Sequence, residues 1–174
     1  MSLLSQVTET LGAAGIPNAL IGAVALAAYG VNRASADTDL LTTDARCLSH
    51  ELWSDLTNLG IEIRIRKGDL SDPLAGVVRC KAEGETPLDV VVGKFTWQRR
   101  ILERAEPLGA QRVVRAADLI LLKLYAGGPQ DAWDIQQLLL APARDLWVQE
   151  VETRLPDLPA ANTELWNRLL RNDP

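Results

Sequence analysis

Residues 20–41, "LIGAVALAAYGVNRASADTDLL", decide how this chain is read. The stretch opens as a short apolar strand, turns at Gly22 and continues as an alanine-rich helix. It then arrives at Asp37 and Asp39 just ahead of Leu40 and Leu41. In extended backbone, residues i and i+2 point to one face, which sets the two aspartates together about 7 Å apart at Cα. Carboxylates so placed raise each other's pKa unless a cation lies between them. A hard divalent ion such as Mg²⁺, which takes oxygen ligands, is the natural neutraliser. Taken alone, an Asp-x-Asp reads more readily as a turn, since turns enrich aspartate. The glycine turn shifts that balance. A strand running straight into a helix aims the first helical N–H groups past the strand end, a geometry that favours phosphate.

Working outward, "GVVRC" and "LDVVVG" predict two more strands, separated by the turn-rich "KAEGET". Asp89 stands, like Asp39, at the entry to an apolar strand. If those strands are neighbours, Asp37, Asp39 and Asp89 form one acidic cluster. Three such carboxylates are able to hold two metal ions about 3.5–4 Å apart, the arrangement of in-line phosphoryl-transfer sites. Upstream, Leu3, Leu4, Val7 and Leu11 recur at helical spacing until Gly15-Ile16-Pro17. Asp44 is expected to cap a helix running to Gly60, and the strict alternation of "IEIRIR" (61–66) predicts a strand. A short helix is expected over residues 95–104, with "EPLGAQ" as a connection. Residues 116–127 predict a strongly apolar helix, followed after "GGP" by a second one and by two more in the tail. Strands thus gather in the first half and helices in the second, an α+β arrangement. The expected organisation is an α/β core over 1–115 with a small mixed sheet, and a helical part over 116–174 packed with it as one unit.

With these motifs in place, "IGAVALAAYGVNRASADTDLL" resembles the first motif of the polymerase-β-like nucleotidyltransferase superfamily, a glycine turn, a short helix and Asp-x-Asp on a strand. Asp89 in "LDVVV" matches the third family carboxylate. "DLILLKLYAGGPQDAWDIQQLL" resembles the Lys…Asp-x-x-Asp helix pair of the branch that includes AbiEii-type toxins. The resemblance spans about Leu20 to Leu140. Gly22 is followed by Ala23, where the superfamily usually has Gly or Ser, so the backbone N–H remains without a hydroxyl contact to phosphate. Thr38 stands between the acids in place of the usual apolar residue.

The resemblance implies transfer of a nucleoside monophosphate from an NTP to an acceptor hydroxyl. It implies Mg²⁺ or Mn²⁺ held by Asp37, Asp39 and Asp89, with Asp89 also activating the hydroxyl. Gly22 and Ala23 would offer N–H groups to the phosphates. Lys123 would neutralise phosphate charge; Asp131 and Asp134, three apart on one helical face, would hold it, or Asp131 would cap its helix. Arg33, four residues before Asp37, is read either as reaching the phosphates or as pairing with an acid. Such chemistry relies on positioning and charge stabilisation rather than a histidine base. The acceptor is left open among tRNA, a protein hydroxyl and a small molecule such as an aminoglycoside. The toxin branch implies a cognate antitoxin partner. The competing reading is an inactive protein of the same fold that binds a partner or senses nucleotide.

The remaining residues carry less. Lys123, inside Leu119–Leu124, also reads as a snorkelling lysine. The net charge of −5 argues against binding nucleic acid through bulk charge, but a local patch is compatible with it. Arg64, Arg66 and Lys67, with Lys94, Arg99, Arg100, Arg104, Arg112 and Arg115, are the candidates for such a basic surface. Cys47 and Cys80 have no metal spacing and read as free thiols of a reducing, cytoplasmic setting. The first residues lack the basic character of a signal peptide, and no apolar run is long enough to cross a bilayer. His50, the single histidine, and the five tryptophans read as structural residues.

Overall fold

Seven short strands, among the described residues 1–171 of the computed structural model, form one mixed sheet ordered β3-β4-β5-β2-β1-β7-β6. The chain divides into two units. The first holds residues 1–24 and 34–114, and the second holds residues 25–33 with the chain from Arg115 onward.

In the first unit, α1 (Leu3–Ala13) starts at Ser2, whose hydroxyl accepts from the Ser5 N–H, and it buries Leu3, Val7 and Leu11. A chain-reversing turn leads to β1 (Ala19–Ile21), and α2 (Gly22–Ala28) follows with no intervening residue. From Ala25 onward α2 groups with the second unit. β2 (Thr38–Thr42) runs antiparallel to β1 and parallel to β5, and Leu40, Leu41 and Thr42 are all buried, as suits a strand in mid-sheet.

The single helix expected between Asp44 and Gly60 is instead two 3₁₀ turns (Ala45–Leu48 and His50–Trp53) and the short α3 (Ser54–Asn58). The cause is local. The Asp44 carboxylate accepts from the Arg46 N–H and the Ser49 hydroxyl from the Glu51 N–H, so two caps within six residues restart the chain. Trp53, fully buried, fixes this segment by donating its indole N–H to the Cys47 carbonyl at 2.8 Å.

β3 (Glu62–Lys67), β4 (Gly76–Lys81) and β5 (Leu88–Val92) form an antiparallel meander. Val78, Cys80, Leu88, Val90 and Val92 face the core, and Val77, Arg79, Asp89 and Val91 alternate with them on a half-open face. Each of these inward aliphatic side chains contributes roughly 1.5–3 kcal/mol of transfer free energy, which holds the acid-bearing strands in register. Burial pushes the thiols of Cys47 and Cys80, both free, up to about 12.

α4 (Thr96–Arg104) begins over the buried Gln98, whose amide oxygen accepts from the N–H groups of Lys94 and Phe95. The stretch expected to be a connection forms a hairpin, β6 (Glu106–Leu108) and β7 (Gln111–Val113), and β7 pairs parallel to β1. Three-residue strands, one of them exposed throughout, are too short to show an alternating pattern.

The second unit carries α5 (Ala116–Ala126), buried nearly all round, and α6 (Pro129–Leu138), which starts on a proline. It ends with α7 (Arg144–Arg154) and α8 (Ala160–Arg171). The Asn162 amide donates to the Leu124 carbonyl, Trp166 is buried, and Tyr29 meets Trp147 edge to face at 5.7 Å. No helix among the described residues is long and apolar enough to cross a membrane.

Candidate active site

Strand register assembles the first unit's site. Asp39 of β2 pairs with Ile21 of β1 on one side and with Asp89 of β5 on the other. Asp89 in turn lies beside Arg79 of β4, and Arg79 beside Arg64 of β3. Residues opposite each other in a sheet project to the same face, so Asp39, Asp89, Arg79 and Arg64 form a row across four strands.

The Arg79 guanidinium grips Asp89 through two bonds, Nε to Oδ1 and Nη2 to Oδ2, each 2.8 Å. The same Nη2 reaches Oδ2 of Asp37 at 2.8 Å, and the Ser35 hydroxyl donates to the other Asp37 oxygen at 3.2 Å. Asp37 and Asp89 are thereby drawn to one cation, and Arg79 answers how they share a face. The two-pronged bond to Asp89, followed by its charge, holds the Arg79 proton more firmly than usual.

Gly22 stands against Asp39. Its φ is +61°, a left-handed conformation that a side chain rarely adopts, and a Cβ there would lie 2.1 Å from Asp39 Oδ2. The turn residue and the second aspartate therefore fix each other's positions. The neighbouring Ala23 lies in the first turn of α2.

The donor set suits a divalent cation in its chemistry: hard carboxylate oxygens on one sheet face, two of them already converging on a positive group. Arg79 lies between Asp37 and Asp89, bonded to both. Among the described residues no three carboxylate, imidazole or thiol groups are drawn together tightly enough to form a ready-made metal cage.

Beside this row lies a cleft of about 400 Å³ lined by Arg64, Ile65, Arg66, Val77, Arg79 and Asp89. Other members of the expected basic surface have structural tasks. Lys94 donates to the carbonyls of Asp69 and Leu70, Arg112 to that of Ala105, and Arg115 pairs with Glu150 inside the second unit. His50 is exposed at the start of its 3₁₀ turn.

The second unit gathers the other expected residues. Lys123 is buried, with Nζ 3.1 Å from Asp131 Oδ1 and 2.5 Å from Asp134 Oδ2. Arg33 Nε donates to Asp134 Oδ1 at 2.9 Å. The second Asp131 oxygen accepts from the Gly128 N–H, so Asp131 both caps α6 and holds Lys123. Asp134, fully buried between two cations, is the centre of this network.

Arg79 is the site residue that the sequence reading misses, although a signal for it exists. Positions 79 and 89 lie equidistant from Gly84 in the "KAEGET" turn, so a hairpin centred on that glycine sets Arg79 opposite Asp89.

No family model and no curated protein sequence matches the chain. Solved structures do. The solution structure of the antibiotic-resistance factor ANT(2'')-Ia is similar with a TM-score of 0.56 at 14% identity, over 97% of this chain and 92% of that one. A crystal structure of ANT(2'')-Ia with adenylyl-2''-tobramycin gives 0.55 at 15% identity, over 95% and 96%. A Helicobacter pylori protein provisionally assigned as a nucleotidyltransferase gives 0.53 at 19% identity, over 98% and 88%. The fold is the α+β nucleotidyltransferase fold, with a mixed sheet and a helical C-terminal part.

Proposed function

We propose that this protein is a metal-dependent nucleotidyltransferase that moves a nucleoside monophosphate from an NTP to a hydroxyl. The observation that carries this reading is the row of Asp39 and Asp89 on adjacent parallel strands, with Asp37 drawn to the same face and the Gly22 turn packed on Asp39. Neighbours of this fold include one seen with an adenylylated aminoglycoside.

In this reading the acceptor hydroxyl oxygen forms a bond to the α-phosphorus while the bond from that phosphorus to the bridging oxygen breaks. The electron pair leaves with pyrophosphate. Asp89 orients the hydroxyl and takes its proton. Asp37, Asp39 and Asp89 would hold Mg²⁺ or Mn²⁺, which supplies charge neutralisation at the phosphates when bound. The backbone N–H groups of Gly22 and Ala23 are assigned to phosphate oxygens. Arg79 keeps Asp37 and Asp89 at one place.

A second reading, a nucleotide-binding module without turnover, draws on the same clasp, since a guanidinium that never releases would keep two of the three acids occupied. The resemblance of α5 and α6 to the toxin branch supports a toxin–antitoxin role, which growth arrest on expression, relieved by a cognate antitoxin, would test.

Thermal melting with and without Mg²⁺ tests the metal assignment. A ligand bound only by the native state raises stability, by about 2.7 kcal/mol at one hundred times its dissociation constant. The double variant Asp37→Asn, Asp39→Asn is expected to lose that shift. A shift of the parental size in the double variant would place the ion elsewhere.

A further inference from the structure

We infer that the outer edge of β3 is the seam of a symmetric dimer, pairing antiparallel with β3 of a second copy of this chain. The inference stands apart from the transferase reading and uses none of its chemistry.

The first observation is that the two edges of the sheet differ. The sheet ends at β3 on one side and at β6 on the other. β6 has three residues and includes Pro107, which has no N–H to donate, so that edge is closed to a further strand. β3 has six residues and no proline, and it pairs with β4 without interruption from Glu62 to Lys67. Among the described residues no strand lies on its outer side, which presents a row of backbone donors and acceptors.

The second observation is where the side chains of β3 stand. Ile63 and Ile65 pair with Cys80 and Val78 on the covered face of the sheet. Cys80 and Val78 are fully buried, whereas both isoleucines are left half-exposed. The apolar layer thus runs to the rim without being closed there. Glu62, Arg64 and Arg66 stand on the opposite, open face, and Lys67 at the strand end is the charge of β3 on the covered side. Edges guarded against pairing place a charge on that side in mid-strand, and β3 does not.

The third observation is register. A two-fold axis normal to the sheet keeps both covered faces on one side, so residues pair only with residues of the same face. An axis through Arg64 sets Glu62 opposite Arg66 of the second copy, and Ile63 opposite its Ile65. Each pair then occurs twice, along residues 62–66. An axis through Ile65 would set Arg64 against Arg66 twice, and one through Ile63 would leave only residues 62–64 of β3 in the ladder. Opposite charges directly across a ladder stabilise it and like charges weaken it, which selects the Arg64-centred register. Arg64 meets its own copy on the axis, where Glu62 of each strand already holds it.

This seam joins the two open faces. The row Asp39, Asp89, Arg79 and Arg64 continues through the axis into the same row of the second copy. The two Asp89 residues then lie five strand spacings apart, about 24 Å, and open to the same side. A seam of this length is small beside the roughly 1,200–2,000 Å² of stable interfaces, so the dimer is expected at about 10–100 μM protein.

Sedimentation equilibrium over about 1–300 μM tests the inference on four proteins: the parent, Glu62→Arg, Arg66→Glu, and the variant carrying both changes. Both side chains are exposed, so melting temperatures in dilute solution should match the parent. Each single variant sets like charges across the seam and should dimerise at least about fivefold more weakly. The double variant restores opposite charges and should return to within about twofold of the parent. In the parent, amide hydrogen exchange over Glu62–Arg66 should slow as concentration rises.

A parent that stays monomeric throughout overturns the inference, as does a dimer that both single variants leave intact. A double variant as weak as the single ones would show that Glu62 and Arg66 do not face each other. Weakening by Glu62→Arg but not by Arg66→Glu would place the axis at Ile63 and overturn this register. No readout involves nucleotide or metal, so failure of the transferase reading would leave these outcomes unchanged.

Discussion

Gly22 shows how one residue ties the backbone to the chemistry. Its left-handed φ and the 2.1 Å approach of an added Cβ to Asp39 are separate reasons for glycine, and a control separates them. Gly84 has a φ of +73° with nothing within 4 Å of an added Cβ. Gly84→Ala should therefore cost only backbone strain, about 1–3 kcal/mol. Gly22→Ala should cost that strain and a further ~1 kcal/mol or more, because the Asp39 carboxylate must move. Chemical denaturation of both variants checks this, and equal losses would show that the turn does not position Asp39. The turn was legible as the break between an apolar strand and a helix, and Asp37, Asp39 and Asp89 because each sits at a strand entry beside an apolar run. Arg79 was harder to see because its meaning depends on register. Nothing in "GVVRC" marks its arginine as the counter-ion of Asp89 until the hairpin is folded about Gly84.

At the scale of elements, α5 and α6 are held by charge as well as by apolar packing. Lys123 projects from α5 to two aspartates of α6, of which Asp134 is fully buried and Asp131 is a quarter exposed. Removing one partner of a buried pair leaves the other charge unsolvated, at a cost of about 3–5 kcal/mol. Asp134→Ala strips both Lys123 and Arg33 and should fall in that range. Asp131→Ala leaves Lys123 its second carboxylate and should cost about 1–2 kcal/mol, the worth of a cap and a half-screened pair. Urea unfolding of the two variants would show the order, and the reverse order would mean that Asp134 is not the centre of the network. α5 showed as a strongly apolar run, and periodicity made α1 readable. It failed between Asp44 and Gly60, where helical spacing was present and two side-chain caps overrode it. It also failed at β6 and β7, where three residues offer no period to read.

For the whole molecule, the fold follows from how a mixed sheet carries its polar residues. The meander β3-β4-β5 buries one face and leaves the other half-open, and the parallel pairing of β2 with β5 brings the acids of both strands to that open face. Residues 25–33 group with the helical unit, which composition does not signal. The central claim is that this face transfers nucleotide, and that Asp89 acts on the attacking hydroxyl. Single-turnover transfer from labelled NTP with Mg²⁺, measured on Asp89→Asn and parent beside equilibrium NTP binding, tests it most directly. A general base is worth roughly 10²–10⁴-fold, and a group needed mainly in the transition state leaves ground-state binding in place. The variant should bind NTP within about threefold of the parent and transfer at least a hundredfold more slowly. Transfer at the parental rate by Asp89→Asn, or NTP binding by the parent with no transfer to any hydroxyl acceptor, would contradict the account.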